Sequence, residues 1–362
     1  MDLLKSANLD SRFEPEFRKL VASIPFIKIQ SIKFEEGSSL EQPFNPDVIV
    51  RLKVDEKSWT VIVEMKRIGQ PREIRSAALQ LEKYLSSLKG EQKYGIIFTP
   101  YLSEESKAIC DATGMGYIDL SGNSKLTFGR VYIETRSERN AFKNKKITKS
   151  LFTPSSQRIL RVLLQGPLKN WKVSSLAKEA EVSLGWVSAI RQQLIANEWA
   201  LEEKSGFRII DPNKILDKWA EADNWKSRTE TRQYSSIHND PIEIATRIKN
   251  SSLFSRHAFT QWFAAWLRHP YTIPPIVTAY VSDWPDDLEM EKSLQARRVQ
   301  QGGRIWLVKP RDEGVFNPRQ KLEGFDLVSD VQIYIDLTNA PQRGNEQATE
   351  LRQQPDFSGG WA

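Results

Sequence analysis

Cysteine occurs once, at Cys110, and histidine three times, at His238, His257 and His269. A single thiol excludes an intramolecular disulfide framework and a cysteine-rich zinc site. Three histidines are too few to point to a His-based metal centre or triad. Long apolar runs are missing as well. No uncharged stretch approaches the length of a membrane span, and the opening MDLLKSANLDSRFEPEF lacks the basic start and apolar middle of a secretion signal. The expectation is a reducing cytoplasm and no membrane partner. Acidic excess is also absent: 52 Lys and Arg against 46 Asp and Glu leave a net charge of +6. That balance tolerates a polyanionic partner without specifying one.

With 362 residues, 40% hydrophobic and 27% charged, the chain reads as soluble, globular and divided into two or three domains. Residues 1–135 alternate helical and strand-like stretches, which predicts a mixed sheet flanked by helices. SRFEPEFRKLVASI has helical spacing, DVIVRLKV and WTVIVEMK are β-branched runs, and QPREIRSAALQLEKYLSSL starts a helix at Pro71. The stretch 136–152 is strongly basic and aperiodic, and reads either as a solvated linker or as a phosphate-contacting strap. Residues 153–222 read as three short helices and a small hairpin, the layout of a winged helix-turn-helix. A second linker is expected over 223–249, a mixed α/β domain over 250–352, and a flexible tail over 353–362. The predicted fold class is thus α/β and α+β, multidomain.

The apolar strand TVIVEMK ends in Glu64 and Lys66, with Asp47 on the strand before it. Residues two apart on a strand share a face, so Glu64 and Lys66 point the same way and Asp47 could lie beside them. Two converging carboxylates suit a hard cation such as Mg²⁺, and an adjacent lysine could act on water or offset phosphate charge. The competing reading is a solvated ion pair. Pro46-Asp47, Glu64-Met65-Lys66 and, on the next helix, Gln80 and Tyr84 resemble the PD-(D/E)XK nuclease superfamily in its RecB-like branch. That resemblance implies a restriction-endonuclease-like fold, with Asp47 and Glu64 binding metal, Lys66 acting on water, and Gln80 orienting Lys66 or the phosphate. It also implies an acid from the first helix, for which Glu14 and Glu16 are both open. The same fold serves as an inert platform elsewhere, so activity does not follow from it.

In the winged-helix region, Ser183–Trp199 is the expected recognition helix, with Val187, Ile190 and Leu194 on its buried side. Ser188, Arg191 and Gln192 would face a DNA major groove. Lys172, Lys204 and Arg208 would grip the backbone from the flank and the wing. Trp186 either touches a thymine methyl or packs against a neighbouring domain. A winged helix used only for protein contact is the bland alternative. The weak basicity of the recognition helix argues for moderate affinity or for a homodimer.

The C-terminal third carries Gln332, Tyr334, Asp336-Leu337, Pro341 and Arg343-Gly344-x-Glu346. These residues resemble the AbiEi-family antitoxins of type IV toxin–antitoxin systems, over roughly 155–352. The resemblance implies a winged-helix repressor of its own operon. Its neighbour would be a nucleotidyltransferase-type toxin, countered through the C-terminal domain. The simple family pattern places the winged helix near the N-terminus, whereas here some 150 residues precede it. That difference leaves room for a Mg²⁺-dependent endonuclease of a defence or restriction system, targeted to double-stranded DNA by the winged helix. Locally, Asn345 is the expected cap of the last helix, with Arg343 paired to Asp336 or Glu346. Trp262, Trp266 and Trp284 read as core or interdomain packing.

Overall fold

The computed structural model describes residues 9–22, 24–34, 45–90, 92–137 and 151–361. The chain divides into two compact units, Met1–Thr148 with Ala196–Glu198, and Lys149–Ile195 with Trp199–Ala362. Most of the expected basic linker falls on residues 138–150, outside the described residues.

The first unit runs α1 (Leu9–Val21), β1 (Ile27–Phe34), β2 (Val48–Val54), β3 (Lys57–Met65), α2 (Pro71–Ser87), β4 (Lys93–Thr99), α3 (Glu104–Thr113), β5 (Gly116–Asp119), β6 (Ser124–Phe128) and β7 (Val131–Thr135). Its seven strands pair in sequence order. The β3–β4 and β4–β5 pairs are parallel and the rest are antiparallel. Both faces of the sheet centre are covered, which is why its strands read as near-continuous apolar runs. Phe13 and Phe17 of α1 meet Val48, Val50, Val61, Val63 and Phe98 on one side. On the other, Ile74, Ala77 and Leu81 of α2 and Ile109 and Cys110 of α3 meet Ile62 and Ile97. Burial pushes the Cys110 thiol up to about 12, so it serves as packing rather than as a nucleophile.

The second unit begins with α4 (Pro154–Leu164), α5 (Val173–Glu179), α6 (Leu184–Ala196), β8 (Ala200–Glu203), β9 (Gly206–Ile209) and α7 (Pro212–Ala222). It continues through α8 (Trp225–Arg228), β10 (Thr229–Ser236), α9 (Pro241–Asn250), β11 (His257–Thr260), α10 (Gln261–Arg268), β12 (Val277–Val281), α11 (Asp287–Leu294) and β13 (Ala296–Val299). The last elements are β14 (Ile305–Pro310), β15 (Arg319–Leu322), β16 (Phe325–Val328), α12 (Asp330–Thr338) and α13 (Gly344–Arg352). A second seven-stranded sheet has the order β13-β10-β14-β12-β11-β16-β15. Fold class is therefore mixed α/β in both large sheets, as the sequence predicts.

Two expectations about this half need correction. The stretch 223–249 is not a linker: it carries α8, β10 and α9, and β10 lies between β13 and β14 in the sheet. Its sequence TETRQYSS is mostly polar because Tyr234 alone supplies a large buried side chain. The tail is not free either. Phe357 is buried, Ser358 Oγ and Trp361 Nε1 donate to the Leu164 carbonyl at 2.8 and 2.9 Å, and the Phe357 and Trp361 rings meet edge to face. The tail thus satisfies an orphan carbonyl at the end of α4. Gly359 and Gly360, which suggest looseness in sequence, instead supply two left-handed residues, with φ of 85° and 87°. One continuous core runs from Ile159 and Leu163 of α4 through Trp219 to Ile333 and Leu337 of α12. The winged helix and the C-terminal body therefore share an interior.

Among the described residues no helix is long and apolar enough to cross a membrane.

Candidate functional site

At the rim of the first sheet, the antiparallel register pairs Val48 with Val63. Asp47, one residue before β2, therefore comes opposite Glu64, one step from the end of β3. Its Oδ2 accepts the Met65 N–H at 2.5 Å. The Lys66 N–H donates to the Phe98 carbonyl at 2.8 Å, which keeps the chain extended so that Glu64 and Lys66 share the α2 side. Lys66 Nζ donates to Glu64 Oε1 at 2.8 Å and to Gln80 Oε1 of α2 at 3.1 Å. Four side chains from three separated segments are gathered at one edge. Tyr84, one turn beyond Gln80, packs into the α2-side core.

The electrostatics are those of under-compensated acid. Burial raises the Asp47 pKa, opposed by the Met65 N–H and the Lys66 charge, while Asp10 raises it further. Burial also raises Glu64, against the Lys66 hydrogen bond, and the Asp47 charge adds to the rise. Asp10, in the first turn of α1, is thus the helix acid felt by Asp47, and sequence reasoning missed it. It lies one turn before Phe13, the first core-facing aromatic of that helix. Glu14 instead pairs with Arg18 at 2.7 Å.

Two partly buried carboxylates, with a lysine bonded to one of them, are a donor set that fits Mg²⁺, which takes one or two carboxylates and otherwise keeps waters or phosphate oxygens. Asp47 and Glu64 would hold it. When bound, such a cation lowers the pKa of water and polarises a phosphodiester. Among the described residues no group of three or more His, Cys, Asp or Glu is placed to hold a metal ion.

The raised carboxyls carry a pH consequence. A group that binds its proton more tightly folded than unfolded makes stability fall as pH rises between the two pKa values. In EDTA at neutral pH, Asp47→Asn is expected to protect the β2 and β3 amides from hydrogen exchange better than wild type. The gain should vanish as pH falls into the ordinary carboxylate range. Equal protection at neutral pH would rule out the burial cost.

In the winged helix, Val187, Ile190 and Leu194 are buried as expected. Ser188 and Arg191 are half-buried, while Gln192, Lys172 and Lys204 are exposed. Arg191 reaches Glu202 of β8 at 3.2 Å, and Arg208 of β9 reaches Glu203 at 2.6 Å. The Trp171 backbone pairs with Phe207 and widens the wing. Gly206 is required beside it, since a Cβ there would meet the Trp171 carbonyl oxygen at 2.3 Å. Trp186 differs from both sequence alternatives: its Nε1 donates to Ser156 Oγ of α4 at 3.1 Å, and its ring packs on the unit's own core. It ties α6 to α4.

The C-terminal motif separates in space. Asp336 is fully buried, whereas Arg343 is 81% exposed and lies 3.8 Å from Glu346. The partner of Asp336 is Arg228, at 2.7 Å, and not Arg343. Gln332 Nε2 donates to Asp336 Oδ1 at 2.6 Å, Tyr280 Oη donates at 3.1 Å, and Thr260 Oγ1 donates to Oδ2. Arg228 also forks onto Asp223 at 2.8 and 3.0 Å. Arg161 of α4 donates to Gln332 Oε1 at 2.7 Å, and full burial pulls its guanidinium down to about 10. The N-cap position of α13 is taken by Arg343, with φ 68° and no side-chain capping bond, and not by Asn345. Trp262 is core, Trp266 packs against that core, and Trp284 lies under Arg232, whose guanidinium carbon is 4.2 Å from a ring centroid. Sequence reasoning missed Arg161 and Arg228; the available signal for Arg161 was its place inside the apolar run from Ile159 to Leu164.

Residues 208–355 match the family model AbiEi_2, described as transcriptional regulator, AbiEi antitoxin, type IV TA system. The matched stretch runs from β9 through α13 and contains the whole Asp336 network except Arg161. It bears out the resemblance read in the C-terminal third. No curated protein matches the chain. The solved "Structure of EndoMS in apo form" is similar at 20% identity over 30% of this chain, with a TM-score of 0.21. The chain spans 45% of that structure's length, and a likeness this slight carries no argument.

Proposed function

We propose that this chain is a DNA-binding transcriptional regulator of the AbiEi antitoxin kind. It reads double-stranded DNA with α6 and the β8–β9 wing and represses its own operon. The C-terminal body answers a cognate toxin of the nucleotidyltransferase type, in the cytoplasm and without a cofactor. The observation that carries this reading is the outward face of α6. Ser188, Arg191 and Gln192 lie off its buried stripe, on a helix whose core is continuous with the family-matched body.

Fluorescence anisotropy on the DNA upstream of its own gene tests it. Arg191→Ala is expected to weaken the specific complex by about 1–3 kcal/mol, a factor of roughly 5 to 150. Lys204→Ala should weaken specific and scrambled duplexes alike. Unchanged affinity in the Arg191 variant would sink α6 as the reading helix, and binding indifferent to salt would exclude phosphate contacts.

A second reading rests on the rim of the first sheet. Asp47, Glu64, Lys66 and Gln80, read from sequence as a nuclease-like set, lie together there. In that reading the chain is a Mg²⁺-dependent DNA endonuclease steered by the same winged helix.

A further inference from the structure

The wing of this module carries acid where a DNA-binding wing is ordinarily basic. Of its four DNA-facing cations, Lys172, Arg191, Lys204 and Arg208, two are already paired to adjacent residues of β8. The β8–β9 register sets Glu202 opposite Phe207, so Glu202 shares the face of Ala200, Phe207 and Ile209, all of them buried against the core. At the strand end that face opens to solvent. Glu202 turns back to Arg191 of α6 at 3.2 Å, remaining 55% exposed itself. Glu203 lies on the opposite face, where Arg208 donates at 2.6 Å and Asn170 Nδ2 at 3.1 Å. Asn170 also holds Ser205 Oγ at 2.8 Å, so the wing tip is built around its carboxylate. Arg191 Nε is buried without a hydrogen-bond partner, and the contact to Glu202 is made through Nη2.

We infer that Glu202 is a positioning residue for DNA reading, a role that rests on the regulator reading above. It fixes the Arg191 fork in one orientation for base edges, and it cancels that arginine's pull on phosphates. A guanidinium already neutralised releases fewer counter-ions when the duplex arrives, so its contribution to sequence-independent binding falls. The planar fork keeps its geometric value for a base. The module therefore discriminates between sequences more than it grips them.

The test is anisotropy of the full chain with its upstream duplex and a scrambled duplex, between about 50 and 200 mM salt. Glu202→Gln is expected to bind the scrambled duplex roughly two- to five-fold more tightly at low salt. Its plot of log affinity against log salt should steepen by about one, and its preference for the upstream duplex should shrink. Glu202→Asp, which keeps the charge, should keep the wild-type slope. In the Arg191→Ala background the Glu202→Gln gain should disappear. A slope unchanged by Glu202→Gln, or a gain that survives without Arg191, overturns this inference alone. A wild-type chain that binds neither duplex at any salt overturns the DNA reading with it.

Discussion

Replacing Asp336 by Ala should destabilise the second unit by about 3–5 kcal/mol, the range for removing one member of a buried ion pair. The side chain is fully buried and accepts from Arg228, Gln332, Tyr280 and Thr260. Burial pushes its carboxyl up, and Arg228 opposes that most strongly. Burial pulls the Arg228 guanidinium down, yet Tyr280, Asp336 and Asp223 outweigh it and hold it well above its usual value. Alanine would leave Arg228 with Asp223 as its one carboxylate partner, beside the Tyr280 hydroxyl, and strand three neutral donors in a dry interior. In a body of this size the thermal midpoint should drop by roughly 6–20 °C. Asp336→Asn keeps a single acceptor oxygen where Thr260 and Tyr280 use two, loses the charge facing Arg228, and should fall in between. Calorimetry or urea titration decides the matter. A loss below about 1 kcal/mol would mean that Asp223 satisfies Arg228 unaided.

The second large effect belongs to Lys66. If the rim of the first sheet cuts DNA, Lys66→Ala should reduce Mg²⁺-dependent nicking of supercoiled plasmid by about 10²–10⁴-fold, the usual scale for a positioned proton-transfer group. Among the described residues Lys66 is the one cation bonded to Glu64, and it also donates to Gln80 Oε1. Without it both acids would face each other across a partly buried gap. Asp47→Ala should abolish cleavage comparably. Wild-type protein that leaves plasmid intact with Mg²⁺ and with Mn²⁺ would reduce the rim to a structural ion pair.

The rim was legible because strand alternation and register are local rules. Once β2 and β3 are recognised, the side chains of Asp47, Glu64 and Lys66 have few places to go. Gln80 was implied only by the resemblance of Gln80 and Tyr84 to the helix element of the nuclease superfamily. Asp10 was hidden because nothing in a single helix says which of several acids lies nearest the sheet edge. The buried arginines escaped for a different reason. Hydropathy assigns Arg161 and Arg228 to the surface, and only the folded core brings carboxylates and amides to meet them. The same long-range packing explains why β10 and the tail read as linker and loose end: their partners are far off in sequence. Trp186 illustrates the limit of helix-face arguments, since a side chain off the buried stripe still found a hydroxyl on α4.

The continuous core running from α4 to α12 has a consequence for inheritance. A reading head with its own interior can be exchanged between regulators by a single recombination event, and each half folds as before. Here a crossover anywhere between Ser156 and Asp336 would join halves of one hydrophobic interior and one charge relay that had never been selected together. If α6 and the wing read DNA as proposed, new targets must come from changes on their outer surface, with the interior transmitted intact.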